Sequence, residues 1–208
     1  MRKMNYRVAS VIIGLSLLAQ AGCASSKPSR YYLLSALSPA QTAKQDRGVS
    51  VGVGPIEFPK YLDRPQIVTR GSQNRLSLGE FDRWAEPLEH NFARVLAENL
   101  AALLSTDDVV HYPWKRSARV DYQIIVTVNR FDAVIGGDTV LHARWTVCDG
   151  GGHTIIPPRA SRIAEPAASA DYEAIVQAGS RALEQLGRQI AGAIQSIVAS
   201  PESERNEP

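Results

Sequence analysis

A serine between two glycines is the first candidate for chemistry in this sequence. Ser50 lies at the centre of the run GVSVG, residues 48–52, which matches the G-x-S-x-G pattern of hydrolase nucleophile elbows. Such an elbow requires a sharp turn from a strand into a helix, because that turn exposes the serine hydroxyl. Here the strand pattern continues to Val53, and Pro55 follows instead of a helix. The sequence therefore favours a serine within a β-strand, and a lipid hydrolase using Ser50 is the weaker alternative.

The histidines and the other glycines do not have the spacing of a metal or nucleotide site. The run over residues 52–54 lacks the third glycine and the following helix of a dinucleotide site. No P-loop pattern is present, so any ATP hydrolysis would belong to another subunit. Four histidines lie on different predicted elements, and no pair has the i, i+4 spacing of a helical zinc site: His90, His111, His142 and His153. The sequence predicts a non-enzymatic protein without a metal or cofactor.

The first cysteine follows a short apolar segment at the amino terminus. Basic residues at positions 2, 3 and 7 precede an apolar run over residues 8–19. That run is shorter than the roughly 20 residues that span a bilayer, and its organisation is that of a signal peptide. The segment LLAQAGCASS then resembles a bacterial lipobox, in which small residues precede a cysteine that is lipidated and becomes the mature amino terminus.

The lipobox resemblance predicts a lipid anchor on Cys23. Gln20 stands where a leucine is usual, and Leu18 lies two residues earlier, so an ordinary secretory signal with a chance cysteine is the alternative. Ala24, and not an aspartate, follows the cysteine. By resemblance to lipoprotein sorting in enteric-type bacteria, this favours the periplasmic face of the outer membrane. The other cysteine, Cys148, is left without a partner, so no disulfide framework is expected.

Charge excludes nucleic acid as a partner. The full chain has a net charge of +2, and the leader has three basic residues and no acidic one, so the mature chain has 2 − 3 = −1. No basic excess remains to bind nucleic acid or to attract a membrane broadly. Membrane attachment would come from acyl chains.

The predicted elements follow the order strands, helix, strands, helix. Apolar residues at helical spacing from Leu88 to Leu104 predict a core helix, and a second stripe runs from Tyr172 to Ile197 after Asp171, a suitable N-cap. Alternating patterns elsewhere predict strands. This order predicts an α+β fold, a single two-layer domain with a mixed, mostly antiparallel sheet and two long helices packed on one face.

Glycines predict two places of close packing. Valines at 49, 51 and 53 alternate with small residues, so we expect a strand whose glycine face is closely covered by a helix. Gly179 lies on the apolar stripe of the last helix and predicts close approach to the sheet. Nothing in the sequence explains Gly187 and Gly192, which should each cost about 1 kcal/mol relative to alanine.

The segment from Pro59 to Pro87 concentrates residue types that are enriched at protein–protein contacts. It predicts a docking surface formed by six residues: Tyr61, Arg64, Pro65, Arg70, Arg83 and Trp84. The alternative is a charged surface hairpin leading into a helix, with the arginines paired to nearby carboxylates inside the fold. Trp84 could equally cap the edge of the core or anchor a partner.

Two motifs in this segment carry a family resemblance. The run PKYLDRPQIV, residues 59–68, and the run RWAEPL, residues 83–88, follow a strand that ends in glycine and proline. This arrangement resembles the ABC-type transport auxiliary lipoprotein family, typified by paraquat-inducible protein C. The resemblance covers the mature chain from Tyr31 to about Val198. It implies a division into a signal peptide (1–22), a lipid anchor and tether (23–30), the auxiliary lipoprotein domain (31–198) and a disordered tail (199–208).

The resemblance also implies a function. Such proteins work with an ABC permease, its ATPase and a mammalian-cell-entry (MCE) domain protein that bridges the periplasm. The cargo would be lipid or another hydrophobic compound, and the role would be maintenance of the outer-membrane barrier. Because MCE-domain proteins commonly form rings, a ring-like homo-oligomer is a possible arrangement. A lipoprotein that assembles or chaperones an outer-membrane component is the alternative.

Overall fold

The computed structural model describes residues 27–37, 48–115 and 118–199. The predicted leader, the predicted lipidation site Cys23, and residues 200–208 of the predicted tail lie outside these residues. Within them the chain forms two α-helices, one short 3-10 helix and eight strands. None of the helices in this part of the chain is long and apolar enough to cross a bilayer.

The elements come in the predicted order. The helices are α1 (Leu88–Leu104) and α2 (Tyr172–Ala199), and the 3-10 turn is Lys60–Leu62. The strands are β1 (Arg30–Tyr32), β2 (Val51–Glu57), β3 (Gln66–Ser72), β4 (Arg75–Trp84), β5 (Val109–His111), β6 (Tyr122–Ala133), β7 (Asp138–Asp149) and β8 (Thr154–Pro166).

All eight strands form one mixed sheet with β6 at its centre. The long pairings β6–β7 and β7–β8 are antiparallel, as is β3–β4. On its other edge β6 pairs in parallel with β2 and, at Ala133, with β3, while β5 and β1 are short parallel edge strands beside β2 and β4. The predicted α+β class and mixed sheet are confirmed.

The two helices pack against each other and on one face of the sheet. The apolar stripe of α1 is buried as predicted: Leu88, Phe92, Val95, Leu96, Leu100 and Leu104. The backbone N–H of Ala174 donates to the Asp171 carboxylate at 2.8 Å, so Asp171 caps α2 as predicted. Burial of these stripes is what holds the two-layer domain together.

Glycines on α2 allow close approach in two directions. A Cβ at Gly179 would lie 3.1 Å from the Phe131 ring of β6, in agreement with the predicted approach to the sheet. A Cβ at Gly187 would lie 3.4 Å from Asn99 Cβ on α1, so this glycine belongs to the contact between the helices. The space around Gly192 is open.

The expected helix over the glycine face of β2 is wrong. A Cβ at Gly52 would lie 2.7 Å from the Trp114 ring, and one at Gly54 would lie 2.6 Å from Tyr112 Cβ. The segment that follows β5 therefore covers this face, while Val51 and Val53 on the other face enter the core. Valine is the larger side chain, so its face takes the hydrophobic contact with the helices.

Candidate functional site

The predicted docking segment forms the walls of a groove of about 560 Å³. The groove lies between the 3-10 turn and the first turn of α1. Its apolar lining comes from Phe58, Leu62, Pro65, Trp84, Ala85, Pro87 and Leu88. Its charged or ionisable lining comes from Lys60, Asp63, Arg64, Glu86, Glu89 and His90. An apolar floor with a mixed charged rim is the composition expected of a surface that accepts an apolar group of a partner.

Backbone hydrogen bonds hold the two walls in place. The N–H of Leu62 donates to the carbonyl of Pro59 at 3.0 Å, which closes the 3-10 turn. The N–H of Trp84 donates to the carbonyl of Pro65 at 2.7 Å and joins the first wall to the end of β4. The N–H of Ala85 donates to Tyr32 at 2.9 Å, so β1 supports the second wall. The groove is thus a preformed feature of the fold.

Three of the six predicted docking residues meet at this groove. Arg64 and Pro65 are exposed on one wall. Trp84 lines the opposite wall, but its side chain is also part of the core, and the residue is only 8% exposed. The rim beyond Trp84 is fixed by Arg94, which donates to Glu86 at 2.8 Å and to Glu98 at 3.0 Å.

Two other predicted residues, Tyr61 and Arg70, are engaged inside the fold around Asp132. The carboxylate of Asp132 accepts hydrogen bonds from Arg70 Nη2 at 2.7 Å, from Arg130 Nε at 2.8 Å and from the Tyr61 hydroxyl at 3.1 Å. The Asp132 side chain has no exposed surface. This cluster joins the 3-10 turn and β3 to the end of β6.

The Asp132 cluster shifts the acid–base equilibria of its members. Burial by itself would raise the pKa of Asp132, but the hydrogen bonds from Arg70 and Arg130 outweigh it, and the pKa is lowered. Burial and the neighbouring Asp132 charge raise the pKa of Tyr61. The aspartate is therefore ionised and the tyrosine neutral, which is the pair of states that their hydrogen bond requires.

The sixth predicted residue, Arg83, lies on β4 between two buried neighbours, Asp82 and Trp84. Arg83 is half-buried, and its Nε is a buried atom without a hydrogen-bond partner among the described residues. Its main chain is opposite Gln66 of β3 and Tyr31 of β1. The six residues thus divide between the groove, the Asp132 cluster and the strand that joins them.

A second buried carboxylate was not predicted from the sequence. Asp82 accepts hydrogen bonds from Arg30 Nε and Nη2 at 2.8 and 3.0 Å and from the Tyr32 hydroxyl at 2.8 Å. Burial and the bond to Asp82 raise the pKa of Tyr32 to about 12. This cluster fastens β1 to β4, and no local pattern could reveal a pair of residues 52 positions apart.

Ser50 does not form a nucleophile elbow. Its hydroxyl donates to the carbonyl of Arg119 at 2.8 Å, and its backbone N–H donates to the Asp121 carboxylate at 2.7 Å. The residue leads into β2, and no helix follows it. Among the described residues there is also no group of three or more His, Cys, Asp or Glu side chains that could hold a metal ion.

The family model for the ABC-type transport auxiliary lipoprotein component matches residues 32–191. This match covers most of the chain. The chain belongs to this family. The family contains lipoprotein components that assist ABC transport, which indicates an envelope-associated protein in an auxiliary, non-catalytic role. Both motifs that carried the resemblance, residues 59–68 and 83–88, lie within the match.

Solved structures support the same fold. An uncharacterised protein matches with a TM-score of 0.67 and 20% identity, covering 81% of this chain and 99% of its own. Protein XCC0632 from Xanthomonas campestris matches with a TM-score of 0.61 and 17% identity, covering 82% of this chain and 100% of its own. A PelC dodecamer from Paraburkholderia phytofirmans is more distant, with a TM-score of 0.44, 15% identity and coverage of 71% and 92%. No functionally curated protein matches the chain.

Proposed function

We propose that this chain is a lipoprotein anchored to the periplasmic face of the outer membrane, where it serves as the non-enzymatic auxiliary component of an MCE/ABC-type transport system. The system would move lipid or another hydrophobic compound and support the integrity of the envelope. In this proposal residues 1–22 are removed, Cys23 is acylated and residues 23–30 are the tether. Residues 31–198 form the working domain.

One observation carries the docking role: the two family-like motifs face each other across the groove. The run from Pro59 to Val68 supplies one wall, and the run from Arg83 to Leu88 supplies the other. Residues 69–82, the outer part of the β3–β4 hairpin, separate these runs in the sequence, yet both runs contribute apolar lining and charged rim. A surface built from two separate motifs favours recognition of a partner over a purely structural role.

The groove suits a protein partner that inserts an apolar side chain. Its floor is apolar, and its rim offers both signs of charge for hydrogen bonds around the inserted group. Interface energy is concentrated in a few central anchors surrounded by a polar rim. We assign this role to the end of the bridging MCE-domain protein, with Arg64 as the exposed rim contact.

The test is co-purification of the membrane-anchored protein after cross-linking in cells. Arg64→Glu is the informative variant because Arg64 is exposed, whereas truncating the buried Trp84 would also remove core packing. We expect Arg64→Glu to lower recovery of the MCE-domain protein about tenfold while the variant stays folded, since reversing a rim charge near a partner should cost about 1.4 kcal/mol or more.

Arg188→Glu is the matched control, because Arg188 is exposed on α2, outside the groove. It should leave recovery unchanged. Absence of any MCE-domain partner in the native sample would contradict the transport role. Recovery of a β-barrel client in its place would favour the assembly lipoprotein.

A further inference from the structure

Two hairpin turns project from the same end of the sheet. One turn joins β3 to β4 between Ser72 and Arg75, and the other joins β6 to β7 over residues 134–137. Strands β3 and β6 run parallel, with Thr69 beside Ala133, so both strands finish at this end. We name this region, comprising the two turns and the adjoining residues 76–78, the hairpin end.

Exposed aliphatic side chains are concentrated at the hairpin end. Leu76 is 38% exposed and Leu78 46% on β4, while Val134 is 43% and Ile135 45% exposed in the second turn. These are four of the nine exposed large hydrophobic side chains in the part of the chain that the structure describes. Turns normally carry polar residues and glycine, so two consecutive aliphatic residues in one indicate contact with an apolar medium.

One exposed arginine lies among these aliphatic side chains. Arg75 is exposed in the first hairpin, whereas Arg70 and Arg130 are 22% and 27% exposed and are paired with the buried Asp132. The acidic side chain of Asp138 is also present there, so the hairpin end is not uniformly basic. Aliphatic tips next to an exposed arginine match a bilayer interface, where the apolar groups enter the acyl boundary and the guanidinium group meets phosphates.

The direction of β1 points the chain that precedes it towards this same end. Strand β1 is parallel to β4, with Arg30 opposite Asp82 and Tyr32 opposite Trp84. Arg30 therefore lies seven strand positions, roughly 23 Å, from the start of β4 at Arg75, and residues 27–29 lead back towards the hairpin end. The double hydrogen bond from Arg30 to Asp82 fixes β1 in this register. Cys23 is seven residues before Arg30, and a tether of that length reaches about 25 Å at most, which is enough to cover the same distance.

We propose that the hairpin end lies on the phospholipid surface to which Cys23 is attached, with Leu76, Leu78, Val134 and Ile135 inserted at the interface. This inference rests on the lipid anchor of the proposed function. Once the chain is tethered, a weak contact suffices, because the tether gives the hairpin end a high effective concentration at the membrane.

Depth-dependent fluorescence quenching tests this orientation. An environment-sensitive probe is attached to Ile135→Cys in the lipidated protein, reconstituted in vesicles of phosphatidylethanolamine and phosphatidylglycerol with brominated acyl chains. The native Cys148 is buried and should not react. The control is His153→Cys in the β7–β8 turn, at the opposite end of the sheet. We expect the probe at 135 to lose most of its fluorescence and the probe at 153 to keep nearly all of it.

Equal fluorescence at the two positions would overturn the proposed orientation. Cross-links between copies through position 135, without quenching, would also overturn it and would indicate a contact between protomers. Vesicle flotation of native protein against Cys23→Ala tests the anchor separately. If acylation fails, the mature chain with Cys23→Ser and a His tag before residue 23 is tethered to the same vesicles by nickel-chelating lipid, so that the probe still labels only position 135 or 153. The quenching comparison then decides the orientation without the acyl chains.

Discussion

At the scale of single residues, Asp132 is a buried carboxylate that pairs with two arginines. Its carboxylate is fully buried and accepts hydrogen bonds from Arg70, Arg130 and Tyr61, three residues from different parts of the chain. Removing one partner of a buried ion pair leaves uncompensated charge, which is far more costly than the net stabilisation the pair provides. A single change at Asp132 should therefore lower the stability of the fold.

We predict that Asp132→Asn lowers the free energy of unfolding by about 2–4 kcal/mol at pH 7, because it removes the negative charge that faces Arg70 and Arg130. Urea denaturation followed by circular dichroism measures the loss. Asp63→Asn is the control, because the Asp63 side chain is 73% exposed and its contact with Lys60 is 3.5 Å long. That substitution should change the free energy by no more than about 0.5 kcal/mol.

The stability difference between the native chain and Asp132→Asn should depend on pH. The pKa of Asp132 in the folded state lies below its ordinary value of 3.8, so its charged form stabilises the fold above that pH. This stabilisation is lost as the pH falls below 3.8 and through the lowered pKa. The difference in free energy of unfolding between the native chain and Asp132→Asn should therefore be largest at pH 7 and become smaller as the pH falls below 3.8. A difference that stays constant down to pH 2 would contradict the assigned ion pair.

At the scale of elements, the helices and long strands could be predicted because their patterns are local. The stripe from Leu88 to Leu104 and the alternation in β6 and β7 each require only one segment of sequence. Strand β8 is harder to predict because it contains prolines, which are tolerated there since an edge strand has unpaired N–H groups.

Contacts between distant segments could not be predicted from those patterns. Arg30 and Asp82 are 52 residues apart, and the Trp114 ring reaches Gly52 from a segment with no regular pattern. The groove has the same origin: its motifs were recognised, but only the fold brings residues 59–68 and 83–88 together. Tyr61 and Arg70 were assigned to the predicted surface by residue type, but their partner Asp132 lies on a strand 71 and 62 residues later, respectively.

Gly187 offers a test of the contact between the helices. We predict that Gly187→Leu lowers the free energy of unfolding by about 1–3 kcal/mol, because its side chain would enter the space held by Asn99 and Leu103 of α1. Gly192→Leu is the matched control on the same helix, where nothing lies within 4 Å of an added Cβ. It should be neutral or slightly stabilising, since leucine favours helix over glycine. Equal effects in thermal denaturation would mean that the helices are not closely packed at Gly187.

At the scale of the whole molecule, three features define how the domain could work in the envelope. The chain before β1 points towards the hairpin end, the groove opens between the 3-10 turn and α1, and β3 and β4 connect the hairpin end to the groove. A domain held at a fixed height above the membrane presents its groove at a fixed height to a bridging protein. The length of the short tether between Cys23 and Arg30 would then set the distance between the groove and the membrane.

Lengthening the tether tests whether the domain needs only attachment to the membrane or also a fixed distance from it. We predict that inserting 20 glycine and serine residues between Ser26 and Lys27 leaves the protein folded and anchored but lowers envelope-barrier function. A flexible insert of that length adds about 25 Å of root-mean-square reach, roughly doubling the distance the domain can leave the membrane. Sensitivity to a membrane-excluded antibiotic, in cells that depend on this protein, measures the effect. The same 20 residues added after Pro208 are the control and should have no effect. Full barrier function with the longer tether would contradict the prediction. It would show that the domain needs only attachment to the membrane, and that the groove binds its partner without a fixed distance from the membrane.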